Sequence, residues 1–230
     1  MARWPERNVI EKGKLILCEG NADEAFLRAI IRKRNLGDVS IRNTSDPDQT
    51  KVGGISRFGD LFLAITTFRG FENVTDILVV CDSDDDPEGN FNSICEQISR
   101  ANTKTMPPDI FGIPEGYLYP TQTAPSVKIM SIPWIDVRGN LECICCESAM
   151  ERSEHSEAMM NFAAATGALH WDSANSVGKF KMRALLAASN RQDPSIGIGK
   201  LWSNNDDDQF VPLGHSSFDK VADELMAFLS

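Results

Sequence analysis

The sequence predicts an α/β protein: a mainly parallel sheet with helices on both faces, followed by a helical C-terminal extension. Two observations carry this reading. Short runs at Lys14–Cys18, Val39–Ile41, Ile77–Cys81 and Lys128–Ile132 read as strands; Ile77–Cys81 is rich in β-branched residues and too short for a stable helix. The run Ile77–Cys81 is continuous rather than alternating, as a strand covered on both faces should be. Between and after them, apolar residues recur at helical spacing, and three strand–helix units before residue 100 favour parallel pairing.

Taken in order, residues 1–13 are a polar lead-in. The run Lys14–Cys18 ends in Glu19-Gly20-Asn21-Ala22-Asp23, where Gly20 permits a sharp turn. Ala25, Phe26, Ala29, Ile30 and Ile31 then share one helical face, with Arg28, Arg32, Lys33 and Arg34 opposite. Asn21 or Asp23 is expected to cap this helix, so Asp23 reads as a cap before it reads as a site residue. Val39–Ile41 precedes a polar loop over Thr44–Lys51 and the flexible Val52-Gly53-Gly54. No Lys-Ser/Thr follows those glycines, so a phosphate loop is not indicated. Phe58, Leu61, Phe62, Ile65 and Phe68 mark a second helix; Phe91, Ile94, Cys95 and Ile98 mark a third. A Pro- and Gly-rich connection leads to expected strands at Tyr117–Tyr119 and Lys128–Ile132, and Leu141 opens a helix toward Met150. Ala158–Ala165, Phe180–Ala188 and Phe218–Leu229 read as helices of the extension. The expected organisation is a core over residues 1–150 and a helical extension over 151–230 packed on it.

The composition sets limits on function. With 230 residues and 42% hydrophobic content the chain can bury a full core. No apolar run approaches the ~20 residues of a membrane span, and the N-terminus lacks the apolar core of a signal peptide, so no membrane role and a cytoplasmic location are expected. Six cysteines with no disulfide-framework spacing fit reduced thiols. A net charge of −10 argues against a broad basic surface for nucleic acid, although bound cations offset an acidic average locally.

The most informative stretch is Asp76–Pro87. Its apolar strand empties into Asp82, Asp84, Asp85, Asp86 and Glu88, with Glu19 expected at the same edge of the sheet. The carboxyl edge of an open α/β sheet is where ligands bind. A hard divalent cation, Mg²⁺ or Mn²⁺, is the economical way to hold so many carboxylates together.

These residues carry a resemblance. An apolar strand ending in Glu19-Gly20-x-x-Asp23 before a helix, followed later by a strand ending in Asp82-x-Asp84-x-Asp86, resembles the Toprim domain of type IA and II topoisomerases, bacterial primases and overcoming-lysogenisation-defect nucleases. Gly139-Asn140-Leu141-Glu142 resembles a small standalone Toprim-like family, whose members carry a helical tail with a lysine near Lys179. The resemblance covers roughly residues 12–150 well and the tail weakly. It implies that Asp82, Asp84 and Asp86 hold Mg²⁺ (or Mn²⁺), that Glu19 is either a ligand or a general acid/base, and that Glu142 is a further ligand supporting a second cation. Two such ions ~4 Å apart would stabilise an in-line phosphoryl displacement. Lys179 or Lys181 is the nominated cation for the transition-state charge. The implied activity is Mg²⁺-dependent nuclease hydrolysis of nucleic acid, DNA before RNA, alone, as a homo-oligomer or in a larger complex, with genome defence as a setting. The alternative is a non-catalytic Toprim-fold subunit binding a cation or nucleotide. The chain departs from the wider family in having neither a topoisomerase tyrosine region nor a primase zinc module.

Other patterns carry less. Cys143-x-Cys145-Cys146 lacks a second ligand pair for zinc. His155, His170 and His215 have no nucleophile partner in the sequence. Gly197-Ile198-Gly199-Lys200 lacks Walker spacing and reads as a turn. Asn204–Asp208 reads as an exposed acidic loop. An Asp-x-Asp phosphatase is disfavoured because Asp84 is followed by Asp85.

Overall fold

A computed structural model describes residues 8–45, 53–152, 154–190, 192–202 and 210–230. The lead-in before residue 8, most of the polar loop after Ser45 and the acidic run Asn204–Asp208 lie outside the described residues.

The four strands β1 (Lys14–Cys18), β2 (Ser40–Asn43), β3 (Asp76–Asp82) and β4 (Ser126–Ile132) form one sheet in the order β2-β1-β3-β4. Every pairing is parallel. Side chains alternate across the sheet, as the two-residue period of a strand requires. Ile16, Cys18, Leu78, Val80, Met130 and Ile132 face one hydrophobic core, whereas Leu15, Leu17, Ile77, Val79, Val127 and Ile129 face the other. Because both faces are covered, the strands read as unbroken apolar runs.

The helices divide between these faces. Helices α2 (Phe58–Ile65) and α3 (Pro87–Asn102) pack on the second face through Phe58, Phe62, Ile94 and Ile98. The first face carries α1 (Asn21–Arg34), α4 (Leu141–Arg152), α5 (Ser156–Ala165), α6 (Ala174–Ser189) and α7 (Asp219–Leu229). Phe26 of α1 is fully buried there between Trp202 and Phe218, at ring-centroid distances of 5.7 and 5.5 Å. A half-buried ion pair of 2.8 Å from Lys128 to Glu224 joins β4 to α7.

This topology positions the site. The chain leaves β1 toward one edge of the sheet through α1, and leaves β3 toward the other edge through α3, on opposite faces. The carboxyl ends of the neighbours β1 and β3 therefore flank a topological switch point, where a crevice opens. Glu19 follows β1 and Asp82 ends β3.

Two expectations need correction. Tyr117–Tyr119 is not a strand: Leu118 has φ of 64°, which breaks an extended run, and its N–H alone reaches the sheet, at Ile129 O, 2.9 Å away. Asp23 is not the N-cap of α1; Gly20 takes that position and Asp23 stands at the third helical residue, its carboxylate accepting from Gly20 N at 2.9 Å.

Helix α6 crosses α4 closely, and Gly178 is the reason. A Cβ at Gly178 would lie 2.3 Å from Cys143 Sγ. Gly178→Ala gains helix propensity but forces the two helices apart, so the net expectation is a loss of about 1–3 kcal/mol of stability. Urea unfolding of Gly178→Ala beside Gly178→Ala/Cys143→Ala tests this: removing the sulfur should recover most of the loss, and an additive double variant would mean the crossing is not limited by that contact.

Candidate metal and phosphate centre

Three carboxylates of the site, Glu19, Asp23 and Asp82, are each held by a backbone N–H. Glu19 Oε1 accepts from Asp82 N at 2.8 Å, which fastens the end of β1 to the end of β3. Asp82 Oδ1 accepts from Leu141 N at 3.0 Å, at the start of α4, where the free amides and the helix dipole favour an anion. Asp23 is held by Gly20, as described. Gly53 packs against Glu19: a Cβ there would lie 2.4 Å from Glu19 O, so Gly53 serves a close backbone contact.

The turn after β3 holds the rest. Asp84 sits at φ of 48° and exchanges two hydrogen bonds with Gly139, at 2.6 and 2.7 Å. An aspartate tolerates this left-handed backbone better than most residues. Ser83 is buried and donates to Trp134 O at 2.9 Å, while Asn90 of α3 donates to the carbonyls of Asp82 and Ser83 at 3.1 and 3.2 Å. Asn140 is fully buried and caps α4 by accepting from Cys143 N at 3.1 Å. Its amide donates to Asn175 Oδ1, and Asn175 in turn donates to Asp84 Oδ1. Asp85 lies at the N-terminus of α6, where the Ser173 hydroxyl and the amides of Asn175 and Ala174 hold its carboxyl below the usual range. The acidic turn thus grips the first turn of α6.

Glu19, Asp23, Asp82, Asp84 and Glu142 are half-buried side chains around one crevice. Burial pushes the Glu19 carboxyl up to about 7 and the Asp23 carboxyl up to about 6, overcoming the backbone amides that favour their charged forms. Asp82 is raised well above the usual carboxylate range, first by burial and then by the charges of Asp23, Glu19, Glu142 and Asp84. Lys179, one turn into α6, opposes this: its ammonium favours the charged forms of Glu19, Asp23 and Asp84.

The structure therefore brings together Glu19, Asp82, Asp84, Glu142 and Lys179 from the sequence-expected set, and adds Asp23. It leaves two nominees elsewhere. Asp86 caps α3 instead, its Oδ1 accepting from Gly89 N at 3.0 Å, because Pro87 starts that helix directly behind it. Lys181, two residues beyond Lys179, is carried round the helix to act on Cys146. Asn175 was not legible as a site residue, and Asn140 entered only within the Gly139-Asn140-Leu141-Glu142 resemblance.

The donor chemistry suits a hard divalent cation, since every candidate ligand is a carboxylate oxygen at a crevice. Among the described residues, however, no group of three or more Asp, Glu, His and Cys side chains stands ready to hold one ion. The fit is to an open site in which one or two carboxylates bind and water or phosphate oxygens complete the shell, as Mg²⁺ commonly does. The six cysteines are all free, and Cys145 and Cys146 are buried in the core. No helix among the described residues is long and apolar enough to cross a membrane.

Fold and site together define an all-parallel α/β protein with an acidic centre at its switch point. Over residues 13–210 the chain matches the family described as Protein of unknown function (DUF3226), and it belongs to that family. No curated protein and no solved structure gives a significant match.

The raised carboxyls make stability depend on pH. Glu19 has a folded value of about 7, against roughly 4.3 in an unfolded chain. Between these values the folded state binds a proton that the unfolded state has released, so its contribution to stability falls as pH rises through the window. Glu19→Gln keeps the acceptor for Asp82 N and removes the titration. In thermal melts with chelator, the melting temperature of Glu19→Gln relative to the parent should climb from pH 5 to pH 7.5 and then level off. A constant difference would mean that Glu19 titrates normally.

Proposed function

We propose that the chain is a divalent-metal-dependent phosphodiesterase of the Toprim type, acting on nucleic acid. The observation that carries this reading is the surrounding of Asp82 by Glu19, Asp23, Asp84 and Glu142 at the switch point of a parallel sheet. Four acidic neighbours around one buried carboxylate repel, and the arrangement suits a site that gains a cation during its work. Glu19 and Asp82 at the carboxyl ends of adjacent strands, in that chain order, support the Toprim comparison.

Asp82 and Glu142 are the residues that would hold the ion, with Asp84 beside them. When bound, Mg²⁺ or Mn²⁺ polarises the phosphoryl oxygens and lowers the pKa of water. Lys179 would stand against the charge growing on those oxygens. Glu19, poised near neutral pH, is suited to hold a proton and pass it to the departing oxygen as water adds to phosphorus and the P–O bond breaks. The net charge of −10 favours a second reading, in which the same centre binds a cation or nucleotide without turnover.

Incubation of supercoiled plasmid and single-stranded DNA or RNA with Mg²⁺ or Mn²⁺ separates the two. Cleavage should fall about a hundredfold or more in Asp82→Asn and by about tenfold to a thousandfold in Lys179→Met. Mn²⁺ should also raise the melting temperature, more at pH 8 than at pH 5.5, because its ligands must be deprotonated. A thermal shift without cleavage would favour the binding reading; neither effect would remove the metal from the site.

A further inference from the structure

A groove of about 750 Å³ runs away from the acidic centre along α6. Its walls are of two kinds. Pro194 and Ile196 make an apolar side over the buried Met182 and Leu186, and Arg183 and Lys200 bring positive charge. Arg183 is exposed and has no ion-pair partner among the described residues. Glu142 belongs to both places: it lines the groove and it acts on Asp82 and Asp23. On α6, Lys179 stands at the acids, and Met182, Arg183 and Leu186 follow on the same face at three- to four-residue spacing. The helix is a rail from the centre into the groove. The opposite wall is set by Gly199, whose packing on α1 is so close that a Cβ would lie 2.9 Å from Ala22 Cα.

From this geometry we infer that the groove receives a single nucleotide unit, base and sugar against the apolar wall and phosphate between Arg183 and the acidic centre. The inference rests on the hydrolytic reading for its choice of substrate. The groove's volume falls within the range of small-ligand sites, roughly 300–1,000 Å³. Long polyanions gain their affinity from many phosphate contacts, and a chain of net charge −10 is poorly suited to supply them. A free nucleotide, a dinucleotide or the end of a single strand asks for one or two. The substrate class is accordingly short or terminal, and the interior of a duplex is excluded from the groove.

The test is isothermal titration of adenosine and adenosine 5′-monophosphate, in EDTA and in Mg²⁺, into the full chain, Ala187→Trp and Arg183→Ala. Ala187 is exposed and lines the groove, so the tryptophan fills it without entering the core. Adenosine should bind in EDTA and lose binding in Ala187→Trp. The monophosphate should bind more tightly in Mg²⁺, and Arg183→Ala should weaken it about tenfold while leaving adenosine unchanged. Failure of either ligand to bind, or binding indifferent to Ala187→Trp, overturns the inference. Parallel Mn²⁺ assays on a dinucleotide and on plasmid keep the two readings apart. Nucleotide binding with no cleavage of either substrate overturns hydrolysis and leaves the groove standing. Plasmid nicking without nucleotide binding does the reverse.

Discussion

Mutual repulsion among carboxylates is the constraint around which this structure is arranged. Glu19, Asp23, Asp82, Asp84 and Glu142 come from the ends of two strands, the first turns of two helices and one tight turn. Left alone, such groups would face water or protonate. Here each of Glu19, Asp23 and Asp82 is fixed by a backbone amide, while burial still drives its proton affinity up. The amides orient the oxygens; they do not neutralise them. Such a site is costly to assemble, and the sheet and helices supply the stability that offsets it.

The same acids explain how the later helices are attached. Asp84 and Asp85 leave β3 in a left-handed turn and meet the start of α6, through Asn175 and through the amides of its first turn. A negative turn at a positive helix terminus is favourable, and the contact is local and directional. Gly178 then lets α6 lie close enough over α4 for Lys179 to reach the centre. The tail is therefore part of the site, and the apolar core that joins it to α1 runs without a break from Phe26 to Phe218.

Much of the fold was legible because its strands are buried on both faces and its helices are amphipathic, two signals that survive in composition and period alone. Glu19 and Asp82 were legible for a related reason: a charge directly after an apolar run must sit at a sheet edge. Asp86 was misplaced because the acidic run does not say which of its members turns back to cap α3. Asp23 looked like an ordinary cap, since one carboxylate near a helix start has the same sequence signature whether it faces solvent or four other acids. Lys179 and Lys181 differ only by their angle around α6, which depends on how that helix packs.

The sequence by itself determined the class of the fold, the order of its four sheet strands along the chain and the acidic character of the carboxyl edge, because each follows from local periodicity or from neighbours in the chain. Tertiary structure alone decided that β1 lies between β2 and β3, that Glu142 comes against Asp82 and Lys179 against Glu19, and that Gly178 and Gly199 bring α6 and the segment after it into close packing with α4 and α1. Those outcomes depend on contacts between residues far apart in the chain. Their free energy comes from packing and burial, which no local pattern records.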